Sequence, residues 1–242
     1  MAGRFDGTRT LVFGAAGTIG KEIVLDILGE GGKVAAVYKN RKQAEASTPD
    51  LPELEKHFCN VESIPQLTQL ARSFLDSIRS FDHLIYTVGH CPPGDFERQV
   101  SRNLMSLDDQ TLEDDFGILV TGLLNVYREF THLLNARGRI LVVGSAITRF
   151  PVTDLPPWLN AGSYYIAQNA QRNLVEWIRR EDDLLSREIG VIRLAFGAIN
   201  TPFHAGSIPT HVPPKMLELK QVVAEIINAL KSETPLDWDI LA

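Results

Sequence analysis

The stretch "TLVFGAAGTIGKEIVLDIL", residues 10–28, decides the fold. Thr10 to Phe13 form a short apolar run suited to a buried strand, glycines follow at 14, 17 and 20, and Ile19, Ile23 and Ile27 recur at helical spacing. Glycines in a strand-to-helix turn let the backbone come close to an anion. The helix behind them aims unpaired N–H groups and its positive dipole end at that anion. Gly14, Gly17, Thr18, Ile19 and Gly20 are therefore candidates for holding a pyrophosphate. Ordinary tight turns use glycine too, so the reading depends on what surrounds it.

Strand and helix signals alternate through the rest of the chain. "KVAAVY" (33–38), "HFCNV" (57–61), "HLIYTV" (83–88), "RILVVG" (139–144), "GVIRLAF" (190–196) and "WDILA" (238–242) read as further buried strands. Between them lie segments with helical apolar spacing, such as Leu112, Phe116, Leu119 and Leu123. This alternation calls for right-handed crossovers. It predicts an α/β, three-layer, doubly wound fold with a mostly parallel seven-stranded sheet. At 242 residues and 44% hydrophobic, the chain is expected to fold as one domain, 1–242. The irregular stretches 89–107 and 146–161 follow strand ends, where such sheets bind ligands.

Composition excludes several functions. The net charge is −6 with no basic stripe, so nucleic acid is not an expected partner. Cys59 and Cys91 lack a CxxC spacing and suit reduced thiols. The N-terminal apolar run is too short and too broken by glycine for a membrane span or signal peptide, so a cytoplasmic protein without membrane association is expected. The six histidines show no metal-binding spacing, and no metal is expected. Ser145 lies in "VGSAI", which lacks the Gly-x-Ser-x-Gly elbow of a hydrolase.

The glycine turn, "YTVG" (86–89), "GRILVVGS" (138–145) and "GAINTP" (197–202), in that order, resemble the short-chain dehydrogenase/reductase family from about Thr10 to the C-terminal end. The resemblance implies a single Rossmann-type dinucleotide-binding domain, its substrate pocket formed by loops 89–107, 146–161 and 201–214. It also implies that Val88, Gly89, Gly197, Ile199 and Thr201 line the cofactor, with Asn60 and Val61 near the adenine. The chain departs from the family pattern in carrying Thr18 where a glycine is usual, and "YTVG" where Asn-Asn-Ala-Gly is usual.

Cofactor choice follows from "VYKNRK" (37–42). An acidic residue at the end of the second strand holds the ribose hydroxyls of NAD, whereas a 2'-phosphate needs a cation. Tyr38 stands at the acidic position and Lys39, Arg41 and Lys42 follow, which favours NADP. A solvated basic helix start would look the same.

By the same resemblance, catalysis uses a tyrosine as proton donor, a serine to orient the substrate oxygen, a lysine four residues beyond the tyrosine, and an asparagine on the preceding long helix. Ser145 and Tyr164 match; Gln168 stands at the lysine position and Leu119 at that of the asparagine. Ser145 and Tyr164 are 19 positions apart, more than is usual, and the extra residues form the apolar, proline-rich "TRFPVTDLPPWLNA" (148–161). Without a neighbouring cation Tyr164 is expected to stay protonated at neutral pH, which handicaps alcohol oxidation more than reduction. Gln168 has an amide that can hydrogen-bond ribose hydroxyls.

The expectation is an NADP-dependent reductase acting on a carbonyl or conjugated alkene of a small molecule, assembled as a dimer or tetramer through helices at about 108–135 and 163–183. Two alternatives stay open. One is a non-redox enzyme of the same fold (isomerase, dehydratase or cyclase); the other is a catalytically silent nucleotide-binding sensor or subunit.

Overall fold

Strands form where β-branched and apolar residues run together, and here they line up as β1 (Arg9–Phe13), β2 (Lys33–Tyr38), β3 (Leu54–Phe58), β4 (Phe81–Tyr86), β5 (Leu134–Ser145), β6 (Gly190–Phe196) and β7 (Asp237–Ile240). A computed structural model describes residues 3–77, 79–89, 109–154, 162–201 and 216–232, with the backbone alone of 237–240. The sheet runs in the order β3-β2-β1-β4-β5-β6-β7. All its neighbouring pairs are parallel, six strands with side chains described and β7 extending the edge.

Parallel strands are covered on both faces, so their residues need not alternate with polar ones. Leu11, Val12 and Phe13 are fully buried, but they serve different layers. One core joins Leu11, Phe13, Leu84, Tyr86 and Val142 to helices α3 (Ile64–Asp76) and α5 (Gly122–Phe130) through Leu67, Phe74, Leu123 and Phe130. Helix α6 (Gly162–Ile178) adds Val175 to the same core. The opposite core joins Val12, Ala36, Ile85, Leu141 and Ile192 to α1 (Thr18–Gly29) and to the C-terminal helix Leu219–Lys231 through Ile23, Ile27, Val222 and Ile226. The shorter helices are α2 (Arg41–Ser47) and α4 (Asp109–Phe116), with α7 (Asp182–Ser186) after α6; the C-terminal helix is α8.

The expected "HFCNV" strand needs correction. β3 runs Leu54–Phe58, in register from Val34↔Leu54 to Tyr38↔Phe58. It is an edge strand, half-exposed and carrying Glu55 and Lys56, so it lacks the continuous apolar run of a central strand. Cys59 N still donates to Tyr38 O at 2.8 Å, but Asn60 and Val61 turn away, Asn60 O accepting from Ser63 N at 2.9 Å. β4 likewise ends at Tyr86, which leaves Thr87 to Gly89 beyond the sheet.

Strand order reverses between β1 and β4. Their C-terminal ends therefore open a crevice, because the crossovers leave these two ends in opposite directions. No helix among the described residues is long and apolar enough to cross a membrane.

Candidate active site

The glycine turn lies at that crevice. Gly14 has φ +88°, and a Cβ there would lie 2.8 Å from the Thr87 carbonyl carbon and from Val88 N. At Gly20 a Cβ would collide with the Gly14 carbonyl oxygen. These two positions require glycine for close approach. Gly17 does not, since its Cβ would only touch Gly14 O at 3.4 Å. Gly17 instead caps α1, where no side-chain cap hydrogen bond is made among the described residues, and Thr18 and Gly17 are exposed. Ile19 packs against the α1–α8 core.

Across the crevice, Thr87 fastens the two strand ends together. Its hydroxyl donates to Phe13 O at 3.0 Å, with Gly14 O at 3.3 Å, and Thr87 N donates to Phe13 O at 3.0 Å. Val88 is half-buried against the first core, and Gly89 is exposed. Thr87 is a positioning residue that the sequence reading missed, hidden in "YTVG".

The end of β5 delivers Ser145. Its Oγ accepts from Ile147 N at 3.3 Å, capping a 3-10 turn at Ala146–Arg149 and leaving the hydroxyl's own proton to donate elsewhere. The Ser145 backbone is held on both sides. Ser145 N donates to Gln168 Oε1 at 3.0 Å, while Ser145 O accepts from Thr148 Oγ1 at 3.0 Å and, at 3.5 Å, from Arg193 Nη2. Arg193 Nη2 also lies 3.5 Å from Gln168 Oε1. Gln168 and Arg193 are both 3% exposed, so these polar groups depend on protein partners more than on solvent.

Tyr164 sits one helical turn before Gln168 on the half-buried first turn of α6, so the two share a face. That face is directed at Ser145 through Gln168. Tyr165 is different: its hydroxyl donates to Phe150 O at 3.0 Å and ties α6 to the loop after β5.

On the long helix before β5, Leu119 is 1% exposed and offers no polar group. It lies in a π-turn, Gly117–Thr121, in which Gly122 N bonds Gly117 O. The wider winding frees carbonyls, which are taken up by Gln171 Nε2 on Leu119 O at 3.3 Å and by the Tyr86 hydroxyl on Ile118 O.

At the adenine side, Tyr38 closes β2. It is a core residue, 1% exposed, with its hydroxyl 2.6 Å from Thr48 Oγ1. A large aromatic closing a strand finds more to gain in the core than at its edge. Lys39 is exposed, and Arg41, also exposed, starts α2 with its guanidinium 5.5 Å from the Phe58 ring. Asn60 is half-buried, its Oδ1 accepting from Glu62 N at 3.3 Å, and Val61 is buried with its carbonyl accepting from Asn125 Nδ2 at 3.2 Å.

Past β6, Gly197 is half-buried, Ile199 pairs with Leu217 in an isolated bridge, and Thr201 Oγ1 lies 3.5 Å from Ile199 O. Of the three loops expected to form the substrate pocket, only Gly89, 146–154 and Thr201 are described; the rest of 89–107, 146–161 and 201–214 lies outside the described residues, as does Cys91. Burial pushes the Cys59 thiol up to about 11, far from a thiolate at neutral pH. Among the described residues no group of three His, Cys, Asp or Glu could hold a metal.

Arg193, too, was missed, although the sequence signalled it as the one charged residue in the apolar strand "GVIRLAF".

Comparison with known proteins agrees with this fold. Residues 8–210 match the family described as short chain dehydrogenase. A curated relative, the glucose 1-dehydrogenase of Gluconobacter oxydans (strain 621H), is 26% identical over 247 residues, covering 95% of this chain and 87% of that protein. Among solved structures, a dehydrogenase/reductase from Sinorhizobium meliloti 1021 superposes with a TM-score of 0.77 at 19% identity, covering 98% of this chain and 94% of the other. BdcA in complex with NADPH superposes with a TM-score of 0.73 at 18% identity, with the same coverage of both chains.

Proposed function

The chain belongs to the short chain dehydrogenase family, and from that premise we propose that it is an NADP-dependent reductase of a small-molecule carbonyl or conjugated alkene, working through an altered catalytic set. The observation that carries this reading is the Ser145–Gln168 hydrogen bond at the C-terminal end of β5, with Tyr164 one helical turn before Gln168, beside a glycine turn in which Gly14 and Gly20 leave no room for a Cβ. The cradle fits a dinucleotide: Gly14 and Gly20 bring the backbone close, and the uncapped start of α1 offers N–H donors to its phosphates. When bound, the reduced nicotinamide supplies a hydride. This chain's residues do the rest. Ser145 donates its hydroxyl proton in a hydrogen bond to the substrate oxygen and holds it, and Tyr164 gives that oxygen its proton. One domain spanning 1–242 houses the site, with loops 89–107, 146–161 and 201–214 around the substrate.

Titration with NADPH followed by turnover against a carbonyl panel tests the proposal. Binding with oxidation supports it; no binding sinks it. A second reading, a non-redox enzyme or silent subunit, draws on Gln168 and Leu119, which offer neither a cation nor a polar relay at their positions. Tight NADPH binding without oxidation would favour that reading.

NADP selectivity rests on Lys39 and Arg41, exposed just beyond β2. Replacing both with alanine weakens NADPH by about 10-fold or more, as expected for lost charge-assisted bonds to a phosphate, and leaves NADH nearly as before. Equal losses for the two cofactors would show that these residues do not read the 2'-phosphate.

A dimer or tetramer is proposed through α4, α5 and α6. Trp177 on α6 is 68% exposed, and Ile166 on the same helix is exposed as well, apolar surface that a second copy would cover. Light scattering at micromolar concentration should return at least twice the monomer mass, and a monomer would contradict this.

A further inference from the structure

We infer that Arg193 and Gln168 act as a coupled positioning pair that sets the Ser145 peptide, so that position 168 requires a neutral or anionic acceptor and rejects a cation. This deepens the proposed reductase reading, because it concerns how that site holds its serine.

Two donors converge on one oxygen. Gln168 Oε1 receives Ser145 N–H at 3.0 Å and faces Arg193 Nη2 at 3.5 Å. The same Nη2 faces Ser145 O, so the guanidinium reaches both the peptide and the amide that grips it. The backbone is arranged to admit this guanidinium. Arg193 stands opposite Val142 in the β5–β6 register, and Gly144, two residues on and on the same face, has no side chain. A Cβ at Gly144 would lie 2.5 Å from Arg193 Nη2 and 2.6 Å from Cζ. The Arg193 side chain thus runs over Gly144 to the end of β5. Both partners are almost wholly buried, so their mutual demands are not softened by water.

An ammonium at 168 would replace the acceptor with a donor and set a second positive charge against the guanidinium. Ser145 N–H would lose its partner, and the hydroxyl orienting the substrate oxygen would shift with its peptide. A carboxylate at 168, by contrast, keeps an acceptor for both donors and adds charge assistance. The two positions are therefore coupled by sign. Removing the guanidinium should relieve a lysine at 168.

The experiment compares Gln168→Lys, Gln168→Glu, Arg193→Met and the double variant Gln168→Lys/Arg193→Met, reading kcat, KM and thermal unfolding for each. Gln168→Lys is expected to lose about 10²-fold in kcat with little change in KM, the signature of a displaced catalytic group. Gln168→Glu should keep at least ~10-fold more kcat than Gln168→Lys, and Arg193→Met should restore ~10-fold or more to Gln168→Lys. A Gln168→Lys enzyme as active as wild type, or a double variant that merely compounds the two losses, overturns the proposal. Unfolding gives a readout independent of turnover. The melting temperature of the double variant should exceed the additive value by about 2–4 °C. If wild type reduces nothing, the reductase reading fails while this coupling still decides the pair, and additive melting temperatures overturn it. If Gln168→Lys alone does not fold, cooperative unfolding of the double variant is the rescue expected; a double variant that fails while Arg193→Met folds overturns the pairing.

Discussion

Tyr164→Phe lowers turnover by about 10²–10⁴-fold, the range a lost general acid commands, while NADPH binding and the far-UV spectrum stay as in wild type. The reason is positional. Tyr164 shares the α6 face that Gln168 uses to grip Ser145, and the phenol is the proton donor proposed on that face. Tyr165→Phe is the control. It removes a hydroxyl bonded to Phe150 O, so it should cost about 1 kcal/mol of stability and little in kcat. Steady-state kinetics and cofactor titration on both variants make the comparison. Full turnover in Tyr164→Phe would remove the phenol from the chemistry and hand the site to the non-redox reading.

Gly20→Ala has the second large effect. Its new methyl has nowhere to go, because the Gly14 carbonyl oxygen already occupies the space and Thr87 Oγ1 lies 2.9 Å away. Overpacking of this kind costs about 1–3 kcal/mol, and the displaced turn should weaken NADPH by roughly 10²-fold. Gly17→Ala provides the contrast. With φ −69° and a Cβ contact of 3.4 Å, its cost is that of a weaker helix cap, under about 1 kcal/mol, with a smaller loss of affinity. Calorimetry on both variants measures the difference. Equal penalties at the two positions would mean that steric crowding of the turn is not what ties this sequence to its cofactor.

Most of the sheet could be read from the chain because buried parallel strands write their signal locally. "KVAAVY" and "GVIRLAF" coincide with β2 and β6. The edge strand β3 could not be read so, since a strand with one partner and a wet face has no need of an unbroken apolar run. At the candidate site, Ser145, Tyr164 and Gln168 were marked by resemblance to the family's pattern, but what Gln168 bonds to was not legible. Its partners come from β5 and β6, 23 and 25 residues away, and only the fold brings them together. Tyr38 shows the reverse: its place at the end of the second strand drew notice for cofactor choice, and only the fold shows its ring packed in the core. Thr87 went unnoticed because its task, bridging two strand ends, involves backbone oxygens that carry no sequence signature.

The π-turn at Gly117–Thr121 makes one helix into two out of step. Each such turn holds roughly one residue more than the 3.6 of an α-helix, so everything beyond it is rotated by roughly 100° relative to what precedes. The stripe Leu112, Phe116, Leu119, Leu123 looks like a single rail in the sequence, yet Leu112 and Phe116 are half-buried while Leu119 and Leu123 are sealed. The rail changes track at Gly117. Counting by heptads or by gapless alignment through this segment therefore assigns residues to the wrong azimuth on one side of it, and a one-residue insertion or deletion here would act as a ratchet, swinging α4 about its own axis while α5 stayed seated on the sheet.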